Sequence, residues 1–130
     1  MTPRRRHQTV LHDPDGRRFG NCVRAAVASI MGLPIREVPP FEAGYWDDGF
    51  DWRKAVKSWA AKVHGVHVQW FCGPPPAGWA IASGPTARGT RHVVVCRDGR
   101  LWHDPHPDHK GLINADYWVT FAPSARGSRP

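Results

Sequence analysis

Asp98-Gly99 stands between two apolar runs, Val93-Val94-Val95-Cys96 and Leu101-Trp102. A two-residue Asp-Gly step between such runs is a strong signal for a tight β-hairpin. With that turn Arg97 opposes Arg100, His92 opposes Pro105, and Asp104 lies one step from the His92 position. The unbroken β-branched run reads as a strand buried on both faces. Before it, Ser83-Gly84-Pro85-Thr86-Ala87-Arg88-Gly89-Thr90 is rich in turn formers, so His92 enters the strand directly from a loop. Rigid strands fed by loops are common carriers of reactive side chains.

A second local signal lies upstream. After Gly20-Asn21, apolar residues recur at Val23, Ala26, Val27, Ile30 and Met31, the spacing of one helix face. Gly32-Leu33-Pro34 supplies the stop. Cys22 therefore falls in the first turn, where unpaired N–H groups and the helix dipole favour an anion. A free thiol titrates at about 8.5, and a helix N-terminus or a neighbouring imidazolium lowers that value. Arg24 adds to the positive field, so the expectation is a thiol poised to form a nucleophilic thiolate.

The acid partner of His92 is sought in His103-Asp104-Pro105-His106-Pro107-Asp108-His109. Asp104 directly follows a strand and is the better fixed. Asp108 follows two prolines, and Asn114 and Asp116 are weaker candidates. An acid or an Asn in this position orients the imidazole through its second nitrogen.

Cysteine at a helix start, then a strand histidine, then an acid is the chain order of papain-like cysteine enzymes. The chain resembles small bacteriophage and bacterial members of the papain-like cysteine peptidase superfamily. The resemblance rests on Gln8-Thr9, on Gly20-Asn21-Cys22 with Ala25-Ala26, and on Val38-Pro39. It continues through Ile81-Ala82-Ser83-Gly84-Pro85, Arg88-Gly89, and His103-Asp104-Pro105-His106-Pro107 with Gly111-Leu112. What it implies is a Cys22 nucleophile, His92 as base, Asp104 as orienter and Gln8 as an oxyanion-hole donor. Ser83 and Gly84, together with Trp46, are taken as substrate contacts. The longer Gly- and Trp-containing signature around papain's own cysteine is absent here, so papain's substrates do not transfer.

Gln8 precedes Cys22 by 14 residues, and the turn-forming Asp13-Pro14-Asp15-Gly16 lets that stretch fold back. An amide N–H and the Cys22 backbone N–H together suit an oxyanion hole. Trp46 lies in Glu42-Ala43-Gly44-Tyr45-Trp46-Asp47-Asp48-Gly49-Phe50, which reads as a flexible, aromatic and acidic segment able to line a groove.

The remaining elements define the class. Asp51 as N-cap, Gly65 as stop, and a stripe of Trp52, Val56, Trp59 and Val63 predict a second amphipathic helix. Val66–Phe71, Trp79–Ala82 and Asp116–Phe121 read as strands. Helices followed by a mostly antiparallel sheet is the α+β pattern. At 130 residues the chain is expected to be one papain-like domain, with mobile tails at about 1–6 and 124–130. Its three cysteines, an odd number without metal-like spacing, argue against a disulfide framework and for a reducing compartment. The basic start Met1-Thr2-Pro3-Arg4-Arg5-Arg6-His7 is followed by no apolar stretch, so neither a signal peptide nor a membrane span is expected and a cytoplasmic monomer is the reading.

The expected partner is a protein, peptide or small amide substrate, with no cofactor and no metal. A net charge of +7, carried largely by Arg4-Arg5-Arg6, Arg17-Arg18, Arg126 and Arg129, suits non-specific polyanion binding but shows no recognition element. Two alternatives stand beside the enzyme: a non-catalytic papain-like module that binds protein or polyanion, and a metal-binding protein built on His103, Asp104, His106, Asp108 and His109.

Overall fold

The computed structural model describes residues 1–11, 20–44 and 51–123. Helix α1 spans Cys22–Met31 and ends on Gly32, whose φ of +69° lets its N–H reach back to the Ala28 and Ser29 carbonyls. Such a left-handed cap suits glycine, which has no Cβ to clash. Two short 3-10 turns follow, Ile35–Glu37 and Phe41–Gly44. Helix α2, Trp52–Trp59, starts on Asp51, whose carboxylate accepts the Arg53 N–H at 2.9 Å. It widens into a π turn over Ala60–His64 before Gly65. That wide turn corrects the predicted stripe: Val56 and Ala60 are buried, but Val63 is rotated out and 62% exposed.

Five strands form one sheet in the order β1-β5-β2-β3-β4: β1 Val66–Phe71, β2 Trp79–Pro85, β3 Arg91–Arg97, β4 Arg100–His103 and β5 Tyr117–Pro123. All four pairings are antiparallel, so the chain has the α+β architecture expected of it. The helices cover one face, where Val23, Val27, Ile30 and Val56 meet Val68, Ile81, Val93, Val95 and Val119. The other face carries Ala80, Ala82, Val94, Cys96 and Trp118 beneath Leu112 and Ala115 of the loop between β4 and β5. Residues on β3 thus alternate between two buried faces, which accounts for its continuous apolar run. Among the described residues no helix is long and apolar enough to cross a membrane.

The Asp98-Gly99 hairpin forms, with Arg97 opposite Arg100 and Cys96 opposite Leu101, but the register then slips by one and Val95 pairs with His103. Trp102 is the extra residue. A bulge of this kind turns every later side chain of its strand to the other face. Continued without it, the turn would set Asp104 opposite Val93, on the helix face and away from His92. With it, Asp104 falls opposite Val94, on the same side as His92.

Arg4–Arg6, within the stretch of about 1–6 read from sequence as a mobile tail, is tied to the body. Arg4 N–H donates to the Ser29 carbonyl at 2.8 Å, Arg6 Nε to the Leu33 carbonyl at 3.1 Å, and His103 Nε2 to the Arg6 carbonyl at 2.6 Å. Arg5 stacks its guanidinium 4.2 Å from the Trp102 ring centre. The predicted C-terminal tail lies outside the described residues.

Gly84 pairs with His92, and a Cβ on it would run into the Asn114 carbonyl. Gly84→Ala is therefore expected to destabilise the fold by about 1–3 kcal/mol, the usual result of forcing a methyl into a filled site. Urea unfolding of the variant checks this, and an unchanged midpoint would show that the loop gives way freely.

Candidate functional site

Asp104 is the best-held side chain of the site. Its Oδ1 accepts from His92 Nε2 at 2.6 Å and from the His106 N–H at 2.9 Å, and its Oδ2 accepts from the Gly111 N–H at 2.8 Å. The two side chains are almost fully enclosed, His92 3% and Asp104 0% exposed. Burial pushes the carboxyl up, but the His92 bond and the two backbone N–H groups outweigh it and bring Asp104 down to about 2. An ionised carboxylate only accepts, so His92 Nε2 carries a proton. In neutral imidazole the remaining nitrogen, Nδ1, is then an unprotonated base.

The alternative acids lie elsewhere. Asp108 pairs with Arg88 and sits 3.2 Å from His106 Nδ1, while Asp116 pairs with Arg91 at 2.8 Å and accepts from Asn114 at 3.0 Å. Asp104 is thus the candidate that meets His92. Among the described residues no group of three or more His, Cys, Asp or Glu is arranged to hold a metal ion.

Cys22 opens α1, and the Val93 N–H lies near enough to its sulfur to favour the thiolate. That donor is free for a topological reason. The Ser83 carbonyl points to β5, where it accepts from Asp116, so the Ser83–Val93 pair makes no bond across β2 and β3. β4 in turn pairs with β3 only from Val95 onward. The Cys22 thiol fills the gap. It lies near the peptide unit that joins His92 to Val93, while the His92 side chain leaves the strand on the side of Val94, the face opposite α1.

The state of the thiol corrects the expectation of an easily formed thiolate. Burial, and next the charge of Glu42, push Cys22 up to about 12; the N–H groups of Val93, Val23 and Cys22 pull only partly back. Glu42 occupies the anion site that the helix start offers. Its Oε2 accepts from the Val23 N–H at 2.6 Å and from the Arg24 N–H at 3.4 Å. Burial, first of all, also holds Glu42 above the ordinary carboxylate range, against the pull of those N–H groups and of the Arg24 charge. Burial first, and the repulsion between two anions at one helix start second, keep Cys22 a neutral thiol.

Gln8 is drawn to the site by Asn21, whose Oδ1 accepts the Thr9 and Val10 N–H groups at 2.9 and 3.0 Å. The Gln8 backbone N–H bonds the Pro105 carbonyl at 3.1 Å, next to Asp104. Its side-chain amide donates to the Val10 carbonyl at 3.0 Å and keeps a second N–H. Ser83 is 3% exposed and Gly84 faces Asn114, so neither opens a surface to a ligand in this arrangement. Trp46 and the Asp13–Gly16 turn lie outside the described residues. Glu42, Asn21 and Gly111 are the site residues whose roles sequence reasoning missed. Asn21 reads only as the residue before a helix, Glu42 as part of a loop, and Gly111 carries no local signal for a donor to a residue seven positions away.

Comparisons with protein families, with curated proteins and with solved structures returned no match.

The Asp104 environment has a consequence for acid stability. Its folded value near 2 lies below the about 3.9 of an unfolded aspartate, so the stabilisation is complete above about pH 5 and lost as pH falls toward 2. The wild type is expected to lose about 2 kcal/mol over that window from this group. Asp104→Asn should be less stable at neutral pH and show a shallower acid decline. Denaturant titrations at a series of pH values check it, and parallel curves for the two proteins would refute the assignment.

Proposed function

We propose that the chain is a papain-like thiol enzyme, a hydrolase or acyltransferase acting on an amide, isopeptide or thioester carbonyl. The observation that carries this reading is the enclosed His92–Asp104 hydrogen bond, which in the neutral ring leaves Nδ1 of His92 as the unprotonated nitrogen. The order of Cys22, His92 and Asp104 along the chain supports it. Three free cysteines accord with work in a reducing compartment such as the cytoplasm.

Because the resting thiol is neutral, the proton moves during attack. Sulfur bonds to the carbonyl carbon as its proton passes to His92 Nδ1, giving a tetrahedral oxyanion. The Cys22 backbone N–H and the second amide N–H of Gln8 are the donors assigned to that oxygen. The bond to the leaving group breaks as the imidazolium returns the proton to it. Water, or an acceptor amine in the transfer case, then attacks the thioester, gives a proton to His92 and releases Cys22 as the thiol. Asp104 remains ionised throughout and stabilises the imidazolium.

A chromogenic ester tests this without a known substrate. With p-nitrophenyl acetate the wild type is expected to show a burst of nitrophenol and an acetyl group on Cys22 by mass spectrometry. Cys22→Ala should remove the burst, and His92→Ala should slow acylation by about 100-fold or more. Acetylation confined to Cys72, or a Cys22 rate indifferent to His92, would overturn the reading.

A further inference from the structure

The second face of the sheet carries a cavity of about 310 Å³ beneath the loop that joins β4 to β5. Its floor is Ala82, Val94, Cys96 and Trp118, all buried, and Leu112 and Ala115 stand over it. The space has a local cause. Ala82 of β2 pairs with Val94 on one side and with Trp118 on the other, so the middle strand sets a methyl between two larger side chains. The roof is kept from settling onto that gap because its backbone is pinned. The Gly111 N–H donates to Asp104 Oδ2 at 2.8 Å, the Ile113 N–H to the Pro85 carbonyl at 2.8 Å, and the Asp116 N–H to the Ser83 carbonyl at 2.7 Å. A cavity of this volume stands at the lower end of the range for small-molecule sites, which are mostly apolar and largely pre-formed.

Charge decides what kind of molecule fits. Among the described residues Lys110 is the one charged side chain that lines the cavity, and it is exposed and in no ion pair. Its backbone N–H is bound to Asp108 Oδ1 at 3.0 Å, while the Asp108 carboxylate pairs with Arg88. Among the described residues no acidic side chain lines the cavity. The Asn114 amide, which does, is bound to Asp116 at 3.0 Å. Cys96 adds no negative charge, since burial pushes its thiol up to about 11. We propose that this cavity is a binding site for a small apolar carboxylate, its hydrocarbon body among Val94, Trp118 and Leu112 and its carboxylate at the rim against Lys110. The hydrocarbon supplies the affinity, about fourfold per buried CH2 group, and the lysine supplies the orientation. The cavity lies on the face opposite α1, so the proposal stands without the thiol-enzyme reading.

Titration of the full chain with hexanoate, hexanol and hexylammonium tests the site, read from amide NMR spectra at low ionic strength and about pH 7, where the acid and the amine are both charged. Hexanoate is expected to shift the amide signals of Ala82, Val94, Gly111, Leu112 and Ala115 together. It should bind about fivefold more tightly than hexylammonium, the combined result of one exposed attraction gained and one exposed repulsion avoided. From butanoate to octanoate the affinity should rise by about fourfold per CH2 until the cavity is filled. Lys110→Gln, a change at an exposed side chain, should bring hexanoate and hexylammonium to within about twofold of each other. Ala82→Val should fill the gap and weaken hexanoate by about tenfold or more, and the Lys110→Gln comparison stands even if that variant does not fold. Shifts scattered over other surfaces, equal binding of the three hexyl probes, or a charge preference that survives Lys110→Gln would each overturn the proposal. So would octanoate at several millimolar leaving those amide signals in place.

Discussion

The Asp104 carboxylate is the knot on which the site depends. It is buried at the end of β4 and stays charged because three N–H groups point at it, from His92, His106 and Gly111. A buried carboxylate without such donors would take up a proton. Each donor also ties down a different piece of chain: the start of β3, the turn after β4, and the loop that covers the second face of the sheet. The same charge fixes the tautomer of His92 and so decides which ring nitrogen is free. One interaction therefore sets both a structural closure and the tautomer of His92.

The second constraint is competition for the start of α1. Unpaired N–H groups there attract one anion, and Glu42 has that place through Val23 and Arg24. Cys22 stands one residue away in a dense environment and so remains a thiol. A site of this kind is quiet at rest. What stands at the start of α1 is a neutral thiol beside Glu42, not a standing thiolate.

Much of the fold is legible in the sequence. The helix ends at Gly32 and Gly65, the Asp51 cap, the Asp98-Gly99 turn and the alternation in Val66–Phe71 are local matters of φ, capping and periodicity, and all are found where the residues put them. Asp104 rather than Asp108 is the acid that hydrogen-bonds His92, though not for the reason the sequence offers. A regular hairpin from Asp98-Gly99 would have turned Asp104 to the wrong face, and the bulge at Trp102 that corrects it has no signature in the string. Val63 was misplaced because a π turn changes the helical phase after Trp59.

The sequence by itself determined the elements and their order, and which elements carry the Cys22 thiol, the His92 imidazole and the Asp104 carboxylate, because these follow from neighbours within a few positions. Tertiary structure alone decided that Asp104 and His92 share a face, that the N–H of Val93 is left over for Cys22, and that Glu42 reaches the helix start. It also decided the protonation of the thiol. Those outcomes depend on strand register, on contacts between residues nearly twenty to seventy positions apart, and on how much water is excluded around a charge. None of these is a property of any short stretch of chain.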